Sequence, residues 1–109
     1  MWMVLWGNLS WHPAAAAWRQ VAPTAPTPDC IEVLRRENGT ATYRLVGAGP
    51  GGTPIIARRA RIAKALILRT LYSKMLSRLP IAAPRYCAFR AESPGFAWLF
   101  LEECGGGRP

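Results

Sequence analysis

Asn38-Gly39 stands between two short runs rich in apolar and basic residues, IEVLRR and ATYRLVG. An Asn-Gly pair tolerates the positive φ angles of a tight two-residue turn, so it joins two antiparallel strands at small cost. In the second run Ala41, Tyr43 and Leu45 alternate with Thr42, Arg44 and Val46, the pattern of a half-buried strand. The glycines of GAGPGG supply a second turn, and TPIIARRAR reads as a third strand. Residues 31–60 therefore predict a three-stranded antiparallel meander.

The period changes after this. Leu68, Leu71, Tyr72, Met75, Leu76 and Leu79 recur at helical spacing and form one apolar stripe, whereas Arg61, Lys64, Lys74 and Arg78 fall largely off it. A helix over 61–79 is expected, packed by that stripe on the sheet and ended by Pro80. APRYCAFRAE, a turn at Ser93-Pro94-Gly95, and FAWLFLEE then read as strands four and five. The expected fold is α+β, a five-stranded antiparallel sheet with one long helix between strands 3 and 4.

The first 30 residues have another character. They hold Trp2, Trp6, Trp11 and Trp18, an alanine run, and then APTAPTP, which reads as an extended linker. We expect a disordered or loosely packed N-terminal extension over 1–30, a folded unit over 31–104, and a flexible GGGRP tail over 105–109. The start lacks the basic n-region of a signal peptide, and no apolar run is long enough to span a membrane. Cys30, Cys87 and Cys104 are far apart and the single histidine, His12, has no thiol near it in sequence. That spacing fits neither a zinc site nor a disulfide framework, and a cytoplasmic location is expected.

Charge is the strongest functional signal. The chain carries a net charge of +8, and the stretch from Arg35 to Arg90 holds ten Arg and two Lys against one acid, Glu37. Such a surface attracts anions: nucleotide phosphates, nucleic acid or an acidic partner.

The ordered set IIARR, the 61–79 helix, LPIAAPRYCAF and WLFLEEC resembles the start of aminoglycoside-phosphotransferase-type enzymes, whose small lobe is kinase-like. The resemblance covers about residues 31–104. It implies that Asn38, Gly39 and Thr40 form a loop over nucleotide phosphates and that Arg58 stands where the family has a phosphate-binding lysine. It also implies that Ile56 forms part of an apolar roof, that Leu101 sits behind a purine base, and that backbone groups of Glu102 and Cys104 hydrogen-bond that base. ATP or GTP would be the cofactor, bound weakly, with magnesium only if a second lobe is supplied. The residues by themselves favour a plain hairpin turn at 37–40 and equally fit a solvated pair at Arg58-Arg59.

The sequence departs from the family at the chemistry. The family's helix carries a glutamate that pairs with the lysine; here Leu68 takes that place, and no acid occurs between Asn38 and Ala91. The only aspartate is Asp29, and no H-x-D segment follows Cys104. The resemblance thus implies a truncated nucleotide-binding lobe that does not transfer phosphate alone, its partner a missing C-terminal catalytic lobe. The alternative is a small basic module binding nucleic acid, in which Tyr43, Tyr72, Tyr86 and Phe89 would stack on bases.

Overall fold

The computed structural model describes residues 3–7, 9, 11–37, 40–75, 85–92 and 95–103. Six strands, β1 (Met3–Trp6), β2 (Cys30–Glu37), β3 (Thr40–Val46), β4 (Ile55–Arg61), β5 (Arg85–Glu92) and β6 (Phe96–Glu102), form one antiparallel sheet in the order β1-β2-β3-β4-β6-β5. Two helices accompany it, α1 (Pro13–Val21) and α2 (Ile62–Thr70), and a π-helical turn over Leu71–Met75 continues α2.

Two expectations are overturned here. Among the described residues the sheet has six strands and is accompanied by two α-helices, not five strands and one helix. The extra elements come from the segment expected to be loose. Met3–Trp6 pairs with β2 through Met3 opposite Val33 and Trp6 opposite Cys30. The alanine run forms α1, because small side chains let a helix backbone settle closely on a sheet while Trp18 supplies the apolar anchor. The helix expected over 61–79 is described as the nine residues of α2 followed by the π-helical turn over Leu71–Met75, and the expected residues 76–79 and Pro80 lie outside those described.

The sheet's register sorts its side chains onto two faces. Directly paired residues share a face, so Ile31, Leu45 and Ile55 lie together, as do Val33, Tyr43, Ala57 and Phe100. This face and α1 enclose the main core, in which Leu9, Ile31, Leu45, Ile55, Trp98 and Phe100 are almost fully buried. Trp18 lies 5.1 Å from the Phe100 ring and donates its indole N–H to the Ala48 carbonyl at 3.0 Å, so its one polar atom is satisfied. His12 caps α1: its Nδ1 accepts from the Ala14 N–H at 3.1 Å, and its ring meets Tyr43 edge-on at 4.7 Å.

The opposite face carries a much smaller apolar cluster. Ala65 is the one buried residue of α2, at 1% exposure, and it packs against Ala60 and Ala97 with Phe89 beside them. Three alanines bring the helix close to the sheet. The expected leucine stripe is only half-buried at Leu68, Leu71 and Tyr72, while Ile62, Leu66 and Ile67 are exposed. Between β3 and β4, Gly49 fits only because it has no side chain: a Cβ there would stand 2.4 Å from Thr53 Oγ1.

Candidate phosphate-binding cleft

Strands β2 and β3 pair through Glu37 and Thr40, with two residues between them that lie outside those described. Thr42 is opposite Arg58 on β4, and Arg58 is opposite Leu99 on β6, so these three share the α2 face of the sheet. At this end of the sheet a cleft of about 90 Å³ is lined by Arg35, Glu37, Thr40, Thr42, Arg58, Arg59 and Lys64. A buried water needs roughly 10–15 Å³ of such space. The cleft therefore has room for several waters or for one phosphoryl-sized group and is well below the roughly 300 Å³ or more usual for a whole small-molecule pocket.

The electrostatics of the lining are lopsided. Its one carboxylate, Glu37, accepts from Arg35 at 3.3 Å, and both side chains are largely exposed. Arg59 is held by Glu92 at 2.6 Å and lies 4.0 Å over the Phe96 ring. Among the described residues Arg58 and Lys64 make no ion pair. Helix α2 begins two residues before Lys64, with no acid in its first turn and no side-chain cap, so its positive end adds to the same field. Thr40 donates its hydroxyl to the Glu37 carbonyl at 2.8 Å, which steadies the hairpin end.

The eight residues expected at a nucleotide site separate into four groups. Thr40 and Arg58 line the cleft together. Ile56 and Leu101 face one another across β4 and β6, Ile56 half-buried and Leu101 only 3% exposed, so little of Leu101 is left to meet a base. Glu102 turns its side chain to the α1 face, where it accepts from Thr53 at 2.8 Å and from Arg85. Those bonds, Thr53 first, hold its carboxyl below the usual carboxylate range against the opposing effect of burial. Asn38, Gly39 and Cys104 lie outside the described residues.

Sequence reasoning missed a cluster at the other end of the same face. Arg44 donates to Glu103 through Nε at 2.9 Å and through a terminal nitrogen at 3.2 Å, and to Glu32 as well. Burial alone would lower the Arg44 pKa, but the two carboxylates outweigh it and raise it. The Glu103 N–H donates to the Pro54 carbonyl at 3.0 Å, so both its main chain and its side chain are engaged. The signal was within reach: Glu32 lies directly across the hairpin from Arg44. A bulge between Val33 and Arg35 shifts the register by one residue and hides that pairing from simple counting back from the turn.

With these pairs counted, all five glutamates are engaged by arginines: Glu37 by Arg35, Glu32 and Glu103 by Arg44, Glu92 by Arg59, and Glu102 by Arg85. No group of three or more metal-ligating side chains occurs among the described residues. A larger groove of about 400 Å³ runs between Trp18, Pro26 and the 49–52 turn, and its lining has no charged side chain. No helix among the described residues is long and apolar enough to cross a membrane. Comparison with models of protein families, with curated proteins and with solved structures gives no match for this chain.

Proposed function

We infer that the chain is a nucleotide-binding unit, related to the small lobe of aminoglycoside-phosphotransferase-type enzymes, that holds nucleotide phosphate but does not transfer it by itself. The observation that carries this reading is the convergence of Arg58 and Lys64, neither ion-paired among the described residues, with Thr40 and Thr42 on one phosphate-sized cleft. Cations left unneutralised in a concave site are held there at an electrostatic cost that a bound anion relieves.

The lack of transfer follows from the same accounting of charge. Phosphoryl transfer needs a carboxylate to orient the attacking hydroxyl and oxygen ligands for a metal. All five glutamates here are held by arginines, and Asp29, the only aspartate, lies just before β2, across the sheet register from the cleft end. A separate catalytic lobe would have to bring these groups. The unit would then serve as its nucleotide-holding half.

Titration of the whole 109-residue chain with ATP and with GTP tests the reading. Saturable binding is expected, weakened at least tenfold by Arg58→Ala and again by Lys64→Ala, with no phosphate released on prolonged incubation. Tight, strongly salt-dependent binding of a single-stranded oligonucleotide with no uptake of free nucleotide would replace this reading with the nucleic-acid one.

A further inference from the structure

We propose that the cleft selects the polyphosphate group itself, free of metal, and is nearly indifferent to the base attached to it. This deepens the nucleotide-binding reading and rests on it. Three observations carry it, each independent of the others.

The first is size. At about 90 Å³ the cleft is much smaller than a pocket that encloses a whole nucleotide, so the recognised part of the ligand is the chain of phosphates, the remainder lying over the surface. The second is charge. Arg58 and Lys64 face the cleft from β4 and α2, Arg35 flanks them, and the single lining carboxylate is already bonded to Arg35. A magnesium ion bound to a triphosphate cancels two of its negative charges and brings a like charge towards these cations. The metal complex is thus the poorer ligand, the reverse of what holds where carboxylates share the metal. The third is the strand beside the cleft. Leu101 is buried against its neighbours and Glu102 points to the other face, so the part of β6 expected to grip a base offers no open apolar slot among the described residues.

Lys64 has a specific place in this account. It lies one helical turn before Leu68, the position where the resemblance expects an acid that would neutralise the cation on β4. Here Leu68 brings no acid and the helix contributes a second cation one turn earlier, so the β4 and α2 charges repel one another until an anion bridges them.

Calorimetric titration of the full chain distinguishes the outcomes. The ligands are phosphate, pyrophosphate, tripolyphosphate, ATP and GTP, each with a chelator and with excess magnesium. Affinity is expected to rise from phosphate to tripolyphosphate, with ATP and GTP within about threefold of tripolyphosphate, and excess magnesium is expected to weaken them about tenfold. Lys64→Glu should lower tripolyphosphate affinity and remove the penalty of magnesium. Tighter binding with magnesium than with chelator overturns the proposal. So does uptake of ATP without uptake of tripolyphosphate, an outcome that leaves the nucleotide reading standing. Failure of every ligand to bind overturns both.

Discussion

The two faces of the sheet are built from the same strands and differ in almost everything else. The face under α1 is a continuous aromatic and aliphatic surface, from Tyr43 through Trp98 and Phe100 to Trp18, with ring centroids 5.1–6.2 Å apart. The α2 face is joined to its helix by three alanines, buries Leu99 and Leu101, and is otherwise set with Thr42, Arg44, Ile56 and Arg58. Alternation along each strand makes both faces from one sequence, and the lesson is a division of labour: the larger core lies under α1, and Arg58 and Lys64, which make no ion pair among the described residues, lie on the side of α2. Each of the following experiments breaks or sharpens that contrast.

Removing the anchor of the α1 face has the largest expected effect. Trp18 is 6% exposed, and Trp18→Ala should cost about 3–5 kcal/mol, enough to unfold much of a domain this small. Trp6 and Trp11 in the same segment are 73% and 67% exposed, and replacing either by Ala should change stability by no more than about 0.5 kcal/mol. Chemical denaturation of the three variants checks the difference. Equal costs at all three positions would deny α1 its special role.

A smaller effect depends on pH. Burial first, and the Arg36 charge second, push the His12 pKa below its ordinary value. At neutral pH the ring is uncharged in both folded and unfolded chains. As pH falls below about 6.5 the unfolded chain takes up a proton that the folded one refuses, so stability declines until the lowered folded-state value is passed. Protonation also converts Nδ1 from acceptor to donor and forfeits the cap on Ala14. The unfolding midpoint should therefore fall between pH 7 and pH 5. Since His12 is the only histidine, His12→Asn should keep the cap and flatten that dependence. An unchanged slope in His12→Asn would place the titrating group elsewhere.

How much of this was readable in advance depends on which residues made contact locally. Strand β3 announces itself, because Ala41, Tyr43 and Leu45 are buried at every second position with nothing to disturb the alternation. Arg58 and Thr40 reach a common cleft because hairpin register alone brings β2, β3 and β4 side by side. The N-terminal segment was misjudged for the opposite reason. A run of four alanines and a proline-rich stretch offer few large apolar side chains, and α1 is fixed by long-range contacts of Trp18 with Phe100 and Ala48 that no local window contains. The buried face of the helix after β4 was misjudged because leucine spacing was read as core, whereas the one buried residue of α2 is Ala65, a residue with little to bury. The Arg44 cluster stayed hidden behind one bulged residue, and with it the reason that Glu103 is engaged.

The division between the faces is tested most directly by following thermal unfolding of wild type and the Arg58→Ala, Lys64→Ala double variant, with and without tripolyphosphate. Both side chains face the cleft and neither belongs to the core, so the two proteins should melt within a few degrees of each other without ligand. Saturating tripolyphosphate should raise the midpoint of wild type by several degrees and leave the double variant unmoved. A double variant that melts far below wild type in the absence of ligand, or that gains as much from tripolyphosphate as wild type does, would contradict the account.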